Sequence, residues 1–307
     1  MPNDNLLSVT PIDGRYESQT KFLANYFSEF ALIKTRVEVE IEWLLLISNS
    51  KSLKFIPEVS NSQQKKIINI FKEFSIQDAR QIKKIEKKTN HDVKAVELFI
   101  VEKLKKLKLS KLCEFVHFCC TSEDINNLSY SLMLQRFLDS EFSPEVNFLQ
   151  KKLNSLAKKY SKLSMLAFTH GQPASPTTLG KEFSNYSYRI KFHLDLIKTI
   201  KQKGKFNGAS GNYNAHVVAE KKVNWETLSK KFVNSLGLDF SSHSTQIELK
   251  DAMAFQLANT HNLNNVLIDF AQDIWLLISK NYLKQNMKAG EVGSSTMPHK
   301  VNPIDFE

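Results

Sequence analysis

The chain has little of the punctuation that β-rich or loop-rich folds require. Nine glycines and eight prolines serve 307 residues, and little period-2 alternation of apolar residues runs between them. Cysteine is scarce as well: Cys113, Cys119 and Cys120 are the three present. An odd count without CxxC spacing argues against a disulfide framework or a structural zinc site. The thiols are expected to be reduced and mostly buried. Charge interrupts every long apolar stretch, which excludes a membrane span. The start, Met1-Pro2-Asn3-Asp4-Asn5, lacks the basic and apolar regions of a secretory signal. A cytoplasmic location is the expectation. G-x-x-x-x-G-K-[ST], G-x-G-x-x-G and H-E-x-x-H are all missing. Neither NTP hydrolysis nor a dinucleotide cofactor has a motif to stand on, and no carboxylate cluster suggests a metal.

What is present is ordinary for a globular protein, with 42% hydrophobic and 24% charged residues. The length accommodates about two domains. The net charge of +10 brings nucleic acid into consideration. The lysines are scattered, however, as in Gln81-Ile82-Lys83-Lys84-Ile85-Glu86-Lys87-Lys88, without arginine clusters or interleaved aromatics. Solvated helix faces account for them better, and such a field still attracts anionic small molecules.

Helical periodicity dominates. Apolar stripes run through Phe27, Phe30, Ile33, Val37, Ile41 and Leu44, and through Val146, Leu149, Leu153, Leu156 and Tyr160. Two more follow Phe183, Tyr186, Ile190, Leu194 and Ile197, and Leu263, Val266, Leu267, Phe270, Ile274, Leu277 and Ile278. Several long striped helices must bury their faces against each other, so the fold class is all-α, a long helical bundle. A boundary near Leu109-Ser110-Lys111 divides a helical N-terminal domain, 1–111, from a bundle domain, 112–307.

Polar clusters fall where the stripes break. Asp13-Gly14-Arg15-Tyr16 is a turn carrying a guanidinium, a fork suited to phosphate or carboxylate, although taken alone a surface turn with a solvated arginine explains it better. Thr89-Asn90-His91-Asp92 precedes a helix; Thr89 or Asn90 would cap it, and its N-terminus is a natural anion site. In Thr121-Ser122-Glu123-Asp124, Thr121 and Asp124 have capping-box spacing. In Thr169-His170-Gly171-Gln172-Pro173-Ala174-Ser175-Pro176, a flexible loop is expected to carry His170, with Ser175 as N-cap and Pro176 as N1 of the Phe183 helix. His193 and His261 fall inside helical segments and read as structural; His170, placed just before a helix, is the best general acid or base, since an imidazole trades protons near neutral pH. The closing run, Gly293-Ser294-Ser295-Thr296-Met297-Pro298-His299-Lys300-Val301-Asn302-Pro303, combines hinges, hydroxyls and cations.

The closing run resembles the signature loop of the fumarase/aspartase superfamily, and Met297-Pro298-His299-Lys300 resembles its adenylosuccinate lyase branch. Asp13 to Tyr16, Thr89 to Val96, Thr121 to Asn127 and Thr169 to Pro173 are similar to bacterial members of that branch, in the same order. The likeness runs from Val9 to Glu307. It implies a homotetramer whose active sites are shared between subunits. It also implies β-elimination of fumarate from adenylosuccinate and from succinyl-aminoimidazole carboxamide ribotide in purine biosynthesis, with no cofactor and no metal. By resemblance Ser294 is the base and His170 the acid, with Glu307 fixing the imidazole of His170. Arg15, Tyr16 and His91 are assigned to the phosphate and ribose side. Thr121, Ser122 and Gln246 are assigned to the succinyl side, and Lys300 to a succinyl carboxylate. Asn90, Asp92 and Asn302 complete the substrate-binding set.

Asn302 and Pro303 read as N-cap and N1 of a further helix, with Asp305 and Glu307 suited to its first turn. Members of the resembled family continue beyond this point into further helices and a third domain. The expectation is therefore a C-terminally truncated chain. The competing readings are an inactive helical protein on the same scaffold and a basic nucleic-acid-binding protein.

Overall fold

In the computed structural model the described residues are 5–286, 296–297 and 300–306. Helices α1 (Glu17–Thr20), α2 (Ala24–Phe27), α3 (Glu29–Ser48), α4 (Asn61–Lys72), α5 (Ile76–Thr89), α6 (Asp92–Lys106), α7 (Ser122–Phe137) and α8 (Ser143–Lys159) come first. A hairpin of β1 (Ser164–Thr169) and β2 (Gln172–Thr178) follows, then α9 (Leu179–Thr199) and the short β3 (Lys203–Gly204). Helices α10 (Asn214–Ala219) and α11 (Trp225–Ser235), strand β4 (Asp239–Phe240) and the long α12 (Asp251–Ser279) complete the order. The fold is all-α as the periodicity predicts. Among the described residues, the strands are those of the antiparallel hairpin and a two-residue parallel pair. No described helix is long and apolar enough to cross a membrane.

The chain forms two compact units, 1–140 with 201–253, and 141–200 with 254–307. In the first, α3 is the central element. Ile33, Val37, Ile41, Trp43, Leu44 and Ile47 are all buried, and burial around much of its circumference marks a core helix. Val93, Val96, Phe99 and Ile100 of α6 and Ile125, Leu128 and Leu132 of α7 join the same core. Trp43 packs at 4.4 Å from Phe206 and 5.2 Å from Phe232, ring centre to centre, and its indole N–H donates to Phe118 O. Phe206 thus nails the segment after β3 to the core. The α3 stripe starts later than predicted. Ser28 interrupts it as N-cap, accepting from Ala31 N at 3.1 Å, and Phe27 is exposed in α2. The three cysteines are free but only half-buried.

In the second unit α8 packs along α9, joined by Gln150 Nε2 donating to Ser187 Oγ. The stripe predicted for α9 is buried in full. Arg189 pairs with Asp269, and His193 Nδ1 lies 2.9 Å from Asn259 Oδ1, so α9 and α12 are also tied by polar contacts. His193 and His261 do lie in helices, α9 and α12. Asn302 to Phe306 end in a single 3-10 turn, closed by Phe306 N–H on Pro303 O at 2.8 Å.

Candidate active site

Two helix N-termini in the first unit organise the predicted binding residues. At α6 the capping differs from expectation. Asn90 is the left-handed residue that ends α5, at φ 51°, a conformation asparagine tolerates. His91 is the N-cap: its Nδ1 accepts from Lys94 N–H at 3.2 Å. A neutral imidazole that accepts through Nδ1 carries its proton on Nε2. His91 is exposed, so it presents a donor to solvent. Asp92 follows in the first turn, where its Oδ1 accepts from Val93 N–H at 2.8 Å. Burial pushes the Asp92 carboxyl up, but the Arg36 guanidinium and the Val93 N–H outweigh it and leave the group below its ordinary value.

Arg36 links this terminus to the next. It projects from α3, buried, with its Nη2 2.7 Å from Asp92 Oδ2 and its Nε donating to Asn126 Oδ1 at 2.8 Å. Asn126 belongs to the first turns of α7. One guanidinium therefore fixes the starts of α6 and α7 relative to each other, its planar fork using two edges. The sequence alone does not single out Arg36: α3 also carries Lys34, Glu38, Glu40 and Glu42, and nothing in the pattern marks which of these charges joins the two helix starts.

At α7 the predicted capping box is present: Asp124 Oδ2 accepts from Thr121 N–H at 2.9 Å. Thr121 and Ser122 stand half-buried at the positive end of the helix dipole. Asp124 does more than cap. It is fully buried, and so is Lys205, whose Nζ lies 2.8 Å from Asp124 Oδ1. Asn207 N–H donates to Oδ1 and Gly208 N–H to Oδ2, both at 3.1 Å. Lys205 Nζ also donates to Gly208 O at 3.1 Å. A buried ion pair needs this degree of hydrogen bonding to offset desolvation. Gln246 is exposed, in the segment that returns beside α7. There Lys250 Nζ is 3.5 Å from Glu123 Oε1.

Behind α6 and α7 lies a second polar cluster. Glu40 of α3 is fully buried, and its Oε1 is 2.6 Å from His117 Nδ1; His117 Nε2 is 3.7 Å from Glu97. Burial pulls the His117 imidazole down, but the Glu40 and Glu97 carboxylates outweigh it and raise the group. Burial raises Glu40, partly offset by His117.

The other predicted residues are placed separately. Arg15 and Tyr16 are exposed, the guanidinium 5.8 Å from its neighbour's ring centre. Their turn is shaped by Ser8 Oγ and Thr10 Oγ1 donating to Asp13 and by Thr20 Oγ1 donating to Ile12 O. In the second unit, His170 is exposed at the tip of the β1–β2 hairpin, not in an open loop. Thr169 pairs with Gln172, and His170 and Gly171 have φ of 56° and 73°. Positive φ at both central residues is the type I′ pattern that suits a two-residue hairpin. Ser175 and Pro176 lie in β2. The N-cap of α9 is Thr178, whose Oγ1 accepts from Lys181 N–H at 3.1 Å. An apolar cavity of about 430 Å³ lies beside the hairpin, bordered by Thr169, Gly171, Tyr186, Asp273 and Lys280. Lys300 is exposed, and its N–H closes a turn on Met297 O at 3.0 Å. Asn302 borders a groove with Leu156, Phe183 and Ile278. Ser294 and Glu307 lie outside the described residues. Among the described residues, no three His, Cys, Asp or Glu side chains converge as a metal site.

The model of a lyase family matches residues 14–307, and the chain belongs to that family. Among solved structures, a 3-carboxy-cis,cis-muconate lactonizing enzyme from Pseudomonas putida superposes with a TM-score of 0.72 at 22% identity, over 93% of this chain and 62% of its own. A fumarate lyase from Mesorhizobium sp. BNC1 superposes at 0.68 and 18%, over 84% and 57%. These two establish the fold. The curated relatives are more specific. Adenylosuccinate lyases of Buchnera aphidicola subsp. Schizaphis graminum and Escherichia coli K12 are 47% and 44% identical over the whole chain and 68% of their own length. That of Legionella pneumophila strain Corby is 45% identical over 98% of the chain and 66% of its own. The chain spans about two thirds of the length of these relatives.

Proposed function

We propose that the chain carries the chemistry of an adenylosuccinate lyase. It releases fumarate from adenylosuccinate to give AMP, and from succinyl-aminoimidazole carboxamide ribotide to give the aminoimidazole carboxamide ribotide, within purine biosynthesis in the cytoplasm. The observation that carries the reading is the joined pair of helix N-termini at α6 and α7, set in a chain 44–47% identical to curated adenylosuccinate lyases. Two such termini with hydroxyl, imidazole and amide groups suit a substrate bearing a phosphate and two carboxylates.

The reaction removes a proton beside a carboxylate, builds a doubly charged aci-carboxylate, and protonates the departing nitrogen. Ser294 is the base, and it needs its alkoxide stabilised. Lys300 supplies positive charge for that alkoxide and for a succinyl carboxylate. His170 is the acid, held on a rigid two-residue turn, with Glu307 as its orienting carboxylate. His91 offers Nε2–H to the phosphate and ribose side together with Arg15 and Tyr16, while Asn90 shapes the turn and Asp92 anchors it. Thr121, Ser122 and Gln246 receive the succinyl group, and Asn302 supports the exit of the closing loop. The active assembly is a homotetramer whose sites combine residues from different subunits.

Incubation with adenylosuccinate, followed by its absorbance and by fumarate release, tests this directly. Turnover that disappears in His170→Ala and in Ser294→Ala is the expected result. Near-wild-type kcat in either variant overturns the role assignment. Salt-sensitive DNA or RNA binding without turnover overturns the function.

A further inference from the structure

The segment from Lys205 to Gly211 connects two parts of the candidate site that the sequence keeps far apart. At one end Asp124 of α7 holds it through the N–H groups of Asn207 and Gly208 and through Lys205 Nζ. At the other end Asn207 Nδ2 donates to Ser244 Oγ at 2.8 Å. Ser244 Oγ in turn donates to Thr245 O at 3.3 Å, and so bears on the peptide that leads into Gln246. Gly211, at φ 77°, packs its backbone directly against the same peptides: a Cβ there would lie 2.3 Å from Ser244 O and 2.9 Å from Thr245 O. Phe206, fully buried against Trp43 and Phe232, prevents the segment from drifting. The capping carboxylate behind Thr121–Ser122 is therefore joined to the backbone before Gln246 by an unbroken chain of hydrogen bonds. All of its members lie in the first unit.

We propose that Asn207 and Ser244 are positioning residues that set the Gln246 segment against the Thr121–Ser122 helix start. On the functional reading above, on which this part of the inference rests, they thereby set selectivity for the succinyl group. Neither residue touches the substrate; both act through the backbone of Thr245 and Gln246. The ion pair of Lys205 and Asp124 is the fixed point from which the strap is hung. A fully buried carboxylate with both oxygens occupied has no freedom to move.

The test compares wild type, Ser244→Ala, Ser244→Thr and Asn207→Ala by ligand binding and by hydrogen exchange. Ser244 is only half-buried, so its variants keep the proposal testable if Asn207→Ala fails to fold. In Ser244→Ala, adenylosuccinate affinity is expected to fall about three- to tenfold, the worth of one hydrogen bond. Affinity for AMP, which lacks the succinyl group, stays unchanged. Ser244→Thr keeps the hydroxyl and restores the wild-type ratio. Exchange over 244–250 accelerates in Ser244→Ala, while 121–127 keeps its protection. Equal losses for both ligands, or unaltered exchange over 244–250, overturn the proposal. A wild-type protein that binds no adenylosuccinate overturns the functional reading instead, and the exchange comparison then decides the strap by itself.

Discussion

Replacing Lys205 with methionine gives the sharpest test of how the first unit is held together. The substitution keeps the length and apolar stem of the side chain but deletes the ammonium 2.8 Å from Asp124 Oδ1. Asp124 stays fully buried, now as a carboxylate without a counter-charge. Breaking a buried pair in this way costs about 3–5 kcal/mol. Three backbone N–H groups, of Thr121, Asn207 and Gly208, still serve the carboxylate, which places the cost near the lower end, about 3 kcal/mol. Denaturant unfolding followed by far-UV circular dichroism measures it. Asp124→Asn alone strands the lysine instead, with Gly208 O as its remaining partner. The double variant removes both charges, so its loss falls short of the summed single losses by at least about 1 kcal/mol. A cost below about 1 kcal/mol for Lys205→Met, or strict additivity in the double variant, refutes the reasoning.

Other perturbations follow from the same contacts. His216 of α10 is fully buried between the rings of Tyr213 and Trp225, and burial pushes its imidazole down to about 4. The unfolded chain takes up this proton near pH 6.5 and the folded chain does not, so the contribution is present above pH 6.5 and is lost as pH falls toward 4. The loss is on the order of 3 kcal/mol, and His216→Phe abolishes that part of the acid slope in a pH series of unfolding curves. His117 moves the other way. With its folded value raised by Glu40 and Glu97, its contribution is complete below about pH 6.5 and is lost as pH rises through the folded value; His117→Asn flattens that alkaline slope. Arg36→Met releases Asp92 and Asn126 together. We expect adenylosuccinate affinity to drop at least about tenfold, measured by calorimetry, and affinity within twofold of wild type contradicts the joining role.

Local patterns in the sequence specified the helices, because burying a stripe on α3, α8 or α9 needs only the residues of that helix and a partner. The capping box at Thr121 and Asp124 was legible for the same reason. The His91 cap was not, since histidine is an uncommon N-cap and the neighbouring Asn90 looked better suited; its left-handed φ gave it the C-cap of α5 instead. The hairpin around His170 was hidden because proline and serine in β2 read as helix punctuation. What holds the site together was least visible of all. Asp124 and Asn207 are 83 residues apart in the chain, and no period or motif announces that contact. Arg36 was no more legible: with Lys34, Glu38, Glu40 and Glu42 on the same helix, the sequence does not mark it as the charge that joins α6 to α7.

The turn that carries His170 places two independent demands on one position. The backbone there is left-handed, a region that asparagine, aspartate and histidine enter at small cost and most other side chains resist. The proposed proton transfer requires an imidazole. Alanine violates both demands at once, whereas asparagine keeps the fold of the tip and removes only the titratable ring. In a saturation library, positions that serve geometry and chemistry together give two nested sets of survivors. At residue 170, selection for soluble protein admits the small group of turn formers, and selection for purine prototrophy then leaves histidine alone.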